Sequence, residues 1–332
     1  MFQAAKVYII ILNYKGWKDT IECLISVLSL KYDNYQILVV DNNSPDHSFS
    51  QLTTWANTYF KNAPDAFSVL KESEALSNTR SKPTSELAAR IIFIEANANR
   101  GFAAGNNIAM QYALGKADFN YLWLLNNDTT VDKESLSALI NQAVNDCSKN
   151  NNIGIWGSKL LFYHRPTIIQ ALGGKFNHTT FTTKHIGENQ ADSPAADETV
   201  LEADYIVGAS MFVSAEFVTK VGLLDENYFL YFEELDWATR GRQKGFQLGY
   251  ASESRVYHKE GQTIGSSSNG AKKSILADIE GVRSKIHFVK KFYPAKMPLL
   301  YLILLASVFL RLKRLQFNRA KSILRLMIQR GV

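Results

Sequence analysis

The 332-residue chain is poor in cysteine, with Cys23 and Cys147 alone. Two thiols so far apart build neither a disulfide framework nor a cysteine-rich zinc site, and a reducing cytoplasm is the simpler compartment. The apolar run at 7–12 lacks a preceding basic cluster and a small-residue cleavage site, which excludes a signal peptide. Neither a G-x-G-x-x-G nor a G-x-x-x-x-G-K-[ST] loop occurs, so the dinucleotide fingerprint and the P-loop are both missing. There is no internal repeat. No zinc-finger, RNA-binding or helix-turn-helix signature is present, and nucleic acid is not an expected partner. With 46% hydrophobic and 20% charged residues, disorder and collagen-like structure are excluded. The length suits one large domain or two small ones.

Acid is missing from one end. Residues 281–332 hold twelve of the 37 Lys and Arg and no Asp or Glu, so 1–280 holds 25 basic against 31 acidic residues. The net charge of +6 is therefore a mildly acidic domain at −6 joined to a tail at +12.

What is present alternates. Residues 7–12 form a β-branched apolar run, 17–30 have helical spacing (Ile21, Leu24, Ile25, Leu28), and 36–40 are apolar again. Strand, helix, strand predicts a parallel sheet, with ligands beyond its carboxyl ends, where Asn13 and Asp41 fall. Residues 51–67 read as helix, and 71–89, polar and broken by Pro83, as a surface insertion. Strands follow at 91–95 and 121–125, with a loop at 97–107 and a helix to about 114 between them. A helix near 133–147 and an apolar stretch at 153–157 complete the first half. Beyond it, 173–199 read as loops or a hairpin, 205–214 as a strand, and 233–244 as a helix.

Five constellations carry chemistry. Asn13, Asp41 and Asn43 can satisfy a pyrimidine ring N–H and its carbonyls, or simply cap a turn. Arg100, Gly101, Phe102, Gly105 and Asn106 lie between a strand and a helix, where backbone N–H groups favour a diphosphate; a plain helix cap is the bland alternative. Asn126-Asn127-Asp128 offers oxygen ligands to Mg²⁺ or Mn²⁺, or an ordinary turn. Glu233, Glu234 and Asp236 repel one another, and burial would raise at least one of them towards general-base range; at a helix start they also complement the dipole. His258 stands at a strand-to-glycine turn downstream of these acids.

Taken together these residues resemble the family-2 inverting glycosyltransferases, particularly the rhamnosyltransferase-like branch that builds bacterial surface polysaccharides. The matching pieces are 10–14, Val39-Val40-Asp41-Asn42-Asn43-Ser44, 99–107, 124–129, Gly208-Ala209-Ser210-Met211 and 229–237. The resemblance implies an α/β GT-A fold over 1–265, with a Rossmann-like, mostly parallel sheet flanked by helices. Residues 1–130 would be its nucleotide-sugar half and 131–265 its acceptor half. It implies nucleotide contacts at Asn13, Asp41, Asn43 and Asn127, with the Arg100–Asn107 loop beside the donor. Asp128 matches the second acid of the metal-binding D-x-D motif and His258 the histidine that completes a Mg²⁺ or Mn²⁺ site. Glu234 falls at the base position, and Gly208, Ala209, Ser210, Glu233 and Trp237 fall on the acceptor side.

Two departures stand out. The first D-x-D acid is Asn126, which relaxes metal dependence. The base is Glu234 where the family usually has Asp, so Asp236 is an alternative base or a partner that raises Glu234. The expected donor is dTDP-rhamnose, with UDP-sugars the neighbouring class, and the expected acceptor is a glycan or a polyprenyl-diphosphate-linked one. A catalytically silent nucleotide-sugar-binding protein is the rival reading.

The tail at 266–332 reads as basic and helical. Its apolar segment 299–310 spans about 18 Å as a helix, short of a bilayer core of ~30 Å. Flanking charge suits an anionic surface, so 298–332 is expected to make a peripheral contact on the cytoplasmic face of the cell membrane. A core-packing helix is the alternative.

Overall fold

A computed structural model describes residues 4–77, 89–197, 203–259 and 274–328. Val7–Asn13 (β1) and Tyr35–Asp41 (β2) are apolar on both faces and almost wholly buried, as parallel strands covered by helices require. Between them Trp17–Leu28 (α1) buries Cys23, Leu24 and Val27. Ser48–Tyr59 (α2) follows β2, and Phe67–Lys71 (β3) ends the region read as helical over 51–67. Glu72–Leu76 (α3) comes next with Glu72 and Ala75 buried, so the start of the expected surface insertion is packed sheet edge. Its centre, 78–88, lies outside the described residues.

Ile91–Glu95 (β4) and Tyr121–Asn126 (β5) complete the parallel half around Gly101–Lys116 (α4). The expected loop at 97–107 is therefore helical from Gly101 onwards. Thr129–Val131 (β6), Ser135–Ser148 (α5), Ile153–Phe162 (β7) and Arg165–Ala171 (β8) follow. Gly174–Asn177 (β9) and Thr182–His185 (β10) pair as a separate hairpin, and Pro194–Asp197 (α6) is a single turn. Ser210–Ser214 (β11) is shorter than the expected 205–214 strand, because Gly208 and Ala209 turn into it. Ala215–Val221 (α7), Glu233–Gln243 (α8) and Gln247–His258 (β12) complete the domain.

The sheet order is β3-β4-β2-β1-β5-β11-β7-β12-β6, with β8 beside β7. From β3 to β5 neighbours are parallel; β11 is antiparallel to β5 and β7, and β12 runs parallel to β7. Both expected halves thus share one sheet. One face packs on α1, α2 and α5, the other on α4, α7 and Trp237 of α8.

A third core cluster joins the tail to this body. Ile275–Phe292 (α9), Met297–Lys313 (α10) and Phe317–Ile328 (α11) bring Val282, Phe288, Leu304 and Ile323 into one cluster with Phe176, Tyr228, Phe232 and Leu235. The tail is built on the sheet domain rather than appended to it; the expected boundary at 265/266 lies outside the described residues.

The apolar helix is also longer than its apolar run, since Met297, Pro298 and 311–313 continue it. Pro294–Lys313, of mean hydropathy 1.8 and 17% buried, is long and apolar enough to cross a membrane. Among the described residues, tail cations committed internally include Arg283 to Glu280, Lys291 to Asp225 and Asp236, and Arg311 and Arg319 to Asp278. The +12 is therefore only partly available to a surface.

Candidate active site

The carboxyl ends of β1, β2 and β5 carry a closed polar network. Asn13 and Asp41 are register partners, and Asn13 Nδ2 donates to Asp41 Oδ1 at 2.6 Å. The Ser44 amide and hydroxyl donate to the two Asp41 oxygens at 2.9 and 2.7 Å. Asn13 Oδ1 accepts from the Thr20 hydroxyl at 2.9 Å and from Asn127 Nδ2 at 3.3 Å. Asn13, Thr20, Asp41 and Asn127 are all buried, so the network holds the carboxylate rigidly with lone pairs to spare for a ring N–H. Thr20 was not anticipated; its only sequence signal is its place in the first turn of the helix after β1. Asn43, in the left-handed region at φ 54°, is exposed and donates to the Asn97 carbonyl at 3.2 Å.

Beside this network, Asn42 Nδ2 donates to Asn99 Oδ1 and the Gly101 carbonyl at 3.0 and 3.1 Å. Its Oδ1 is buried without a partner. Gly101 has φ +93°, and a Cβ there would lie 2.3 Å from the Phe229 carbonyl oxygen. The Gly101 amide donates to Asn99 Oδ1 at 3.0 Å and the Phe102 amide to Phe229 at 2.8 Å. These two helix-start donors, expected to face a diphosphate, are thus spent within the protein. At Gly105 a Cβ would strike Leu12 at 2.5 Å, so α4 lies directly on β1. Asn106 donates to the Phe102 carbonyl and Asn107 to the Leu224 carbonyl, each at 2.9 Å. Arg100 pairs with buried Glu72, which also accepts from the Asn97 amide at 2.8 Å. Glu72 escaped notice because it sits in a polar stretch with no periodic pattern.

Asp128 and His258 meet where β6 joins β12. His258 Nε2 lies 3.1 Å from Asp128 Oδ1, and its Nδ1 lies 2.7 Å from Gln170 Oε1. Burial pushes the Asp128 carboxyl up, but His258 and then Lys259 outweigh it and hold the group below the usual range. Among the described residues no three His, Cys, Asp or Glu side chains cluster as a metal cage. One carboxylate and one imidazole nevertheless fit a divalent cation whose other positions are filled by diphosphate oxygens and water. Gln170 on Nδ1 is the kind of outer partner that orients a ligating imidazole. Lys259 itself is tied to Asp19 and Glu22 at 2.6 Å each.

The acids at the start of α8 separate into two environments. Tyr231 and Phe232 precede them with φ 68° and 71°, two consecutive left-handed residues and a strained entry. Glu233 is buried, and Oε2 of both Glu233 and Glu234 is buried without a hydrogen bond. Burial raises both carboxyls, Glu234 to about 7, while the neighbouring Glu234 charge pushes Glu233 higher still. Asp236 differs. It is fully buried, with Arg240 Nε at 2.5 Å on Oδ1 and Lys291 Nζ at 2.6 Å on Oδ2. The Tyr228 hydroxyl donates to that same Oδ2 at 3.1 Å. With both oxygens committed to these donors and no solvent exposure, Asp236 is not open to an acceptor hydroxyl, which argues against it as the alternative base. The pressure on Glu234 comes from burial, with Glu233 beside it.

The expected acceptor-side residues also divide. Ala209 accepts from the Asn126 amide at 3.0 Å, and a Cβ on Gly208 would reach Phe102 at 3.8 Å. The 208–210 turn thus bridges the β5 end and the Phe102–Phe229 contact, bringing strand ends, α4 and the segment before α8 together. Ser210 points into the sheet core, accepting from Trp123 Nε1 at 2.9 Å and bonded to Ser158 at 2.8 Å. Trp237 is fully buried, packed on Phe217 and donating to the Gly222 carbonyl at 2.8 Å. Neither is open to an acceptor; both are packing residues, for which large apolar volume and small hydroxyl size are the visible reasons.

The family model described as glycosyl transferase family 2 matches residues 8–74 and 77–186. The chain is 24% identical over 170 residues to the low-salt glycan biosynthesis hexosyltransferase Agl10 of Haloferax volcanii, taking in 51% of this chain and 52% of that protein. It spans about half the length of the curated relative it matches. Of solved structures, the mannosyltransferase PcManGT from Pyrobaculum calidifontis in complex with GDP-Man and Mn²⁺ is 14% identical with a TM-score of 0.54, over 100% of this chain and 77% of that one. GalNAc-T7 with UDP, GalNAc and Mn²⁺ is 15% identical with a TM-score of 0.58, over 87% of this chain and 48% of that one. The likeness is one of fold: a GT-A-like α/β sheet flanked by helices, with a C-terminal apolar helix.

Proposed function

The chain belongs to glycosyl transferase family 2, and from that footing we propose that it transfers a hexosyl group from a nucleoside-diphosphate sugar to an acceptor hydroxyl with inversion. The observation that carries this reading is the Glu233–Glu234 pair, Glu233 buried and Glu234 half-buried, with Glu234 raised to about 7 and its Oε2 buried without a partner. A general base works best with a pKa near the operating pH. Glu234 takes the proton from the acceptor hydroxyl, whose oxygen attacks the anomeric carbon opposite the leaving nucleoside diphosphate. Glu233 stands beside it, its own carboxyl raised by burial and by the Glu234 charge.

Asp41, held by Asn13 and Ser44, accepts the ring N–H of a pyrimidine, which favours dTDP-rhamnose or a UDP-sugar. Arg100, whose guanidinium is anchored on Glu72, lies beside the donor loop. Asp128 and His258 would hold Mg²⁺ or Mn²⁺, whose chemistry is to neutralise diphosphate charge as the leaving group departs. With the Gly101 and Phe102 amides already bonded, that neutralisation falls to the cation site rather than to this helix start.

A glycan or polyprenyl-diphosphate-linked acceptor suits a protein resting on the cytoplasmic face of a membrane. Support for that contact is the apolar outer face of α10 and α11, where Leu302 is 65% and Phe317 59% exposed. A screen of dTDP-, UDP- and GDP-sugars with and without Mn²⁺ or Mg²⁺, read as nucleoside-diphosphate release with acceptor, tests the reading. Donor binding without release by the wild type would favour a silent nucleotide-sugar-binding protein, which Asn126 in place of an acid also suits.

A further inference from the structure

Lys291 belongs to α9, on the tail side of the chain, yet its ammonium lies 2.6 Å from Asp236 Oδ2 and 2.6 Å from Asp225 Oδ2. The side chain of Asp236 has no solvent exposure, and it stands in the same helical turn as Glu233 and Glu234. Among the described residues, the groups facing it come from three segments. Arg240 comes from its own helix, Tyr228 from the segment before α8, and Lys291 from α9. Beyond Lys291 stand Asp225 and His287, whose Nε2 lies 3.4 Å from Asp225. Tyr205 faces the Glu233–Glu234 pair electrostatically from the stretch before β11.

The balance is two carboxylates, Asp225 and Asp236, against two cations, Arg240 and Lys291. A buried carboxylate left with less than its full set of partners is costly, and unbalanced negative charge one turn away would raise neighbouring carboxyls further. The contact is also mechanical. The Ser284 hydroxyl of α9 donates to the Leu230 carbonyl at 2.8 Å, so α9 grips the backbone just before the strained Tyr231–Phe232 entry as well as the acid inside α8.

We propose that Lys291 is a positioning residue for the transfer reaction, neutralising Asp236 and tethering the first turn of α8 to the tail so that Glu234 is held ready to take a proton. The role rests on the reading of Glu234 as base. Lys291 itself touches no substrate; it acts through Asp236. The tail is then a working part of the catalytic site, and not only a means of location.

The test is nucleoside-diphosphate release by full-length wild type, K291M, K291R and D225N, measured from about pH 5 to about pH 9. K291M is expected to lower kcat about tenfold or more, leave the donor KM within about twofold, and move the ascending limb up by about one pH unit. K291R is expected to restore kcat to within about threefold, since it keeps the charge. An unmoved ascending limb in K291M, or K291R as impaired as K291M, overturns the role. Should K291M fail to fold, D225N decides. Removing the second carboxylate leaves Lys291 to Asp236 alone and is expected to move the limb downward; an unmoved limb overturns the proposal. A wild type that turns over no donor refutes the catalytic reading and this role with it. An active wild type with an unmoved K291M limb refutes the role of Lys291 alone.

Discussion

The amide of Phe102 donates to the carbonyl of Phe229 at 2.8 Å, joining the first turn of α4 to the segment that leads into the Glu233–Glu234 acids. Gly101 makes this approach possible, since a side chain there would collide with Phe229 backbone and the residue has a positive φ. Gly101→Ala is expected to destabilise the fold by about 2 kcal/mol or more, from left-handed strain plus the collision. Urea titration of the two proteins checks it, and a loss below about 0.5 kcal/mol would mean that the contact yields freely.

Glu234→Gln keeps the shape and removes the proton acceptor. Its kcat should fall by about 10²- to 10⁴-fold, with nucleotide affinity by calorimetry within about threefold of wild type. Retained turnover in this variant, together with its loss in Glu233→Gln, would pass the base role to the neighbour.

The same carboxyls tie stability to pH. Burial raises Glu233 and Glu234 above their ordinary range, so folding takes up protons there. The stabilising contribution of Glu234 is full below the unfolded value of about 4.3 and is lost as pH rises through about 7, and Glu233 acts in the same direction. Asp225 runs the other way. Burial pushes it up, but Lys291 and Asn227 outweigh that and hold it low, so its contribution is present above about 3.9 and disappears in acid. Thermal scans should show the melting temperature falling from mildly acidic to neutral pH in the wild type, with a shallower fall in Glu234→Gln.

Gln170→Ala removes the group that orients the imidazole of His258. Mn²⁺ affinity in the presence of nucleotide, followed by electron paramagnetic resonance, should weaken about 10- to 100-fold. Equal affinities would show that His258 takes no part in holding the cation.

Charged residues on the outer face of α10, as in Leu302→Glu with Phe309→Glu, should release the protein from anionic vesicles in co-sedimentation. Fold is expected to survive, because Leu300, Leu304 and Val308 make the inward contacts. Vesicle binding that persists in the double variant would remove this face as the contact.

Much of the architecture was legible because it is written locally. Runs such as 7–12 and 36–40 have no polar face, so they can only be interior parallel strands, and the polar residues that end them, Asn13 and Asp41, mark the ligand side of the sheet. The adjacency of Glu233 and Glu234 was equally visible, and burial of such a pair follows from the aromatic residues before it. Less was legible in 71–89, where a polar surface reading concealed the buried Glu72.

Sequence alone thus determined the parallel character of the first half, residues at its carboxyl edge such as Asn13 and Asp41, and the concentration of positive charge at 281–332; the strand order came from the tertiary structure. Only the tertiary structure decided what those charges do. Asp236 and Lys291 are 55 residues apart, as are many of the contacts that matter, and no periodicity links them. Hydrophobic pattern is a property of neighbours along the chain, whereas desolvation and ion pairing depend on what the folded sheet and the tail helices bring within a few ångströms. That is why Glu234 and Asp236, two residues apart on α8, have such different surroundings, one with a buried oxygen lacking a partner and the other held by Arg240 and Lys291.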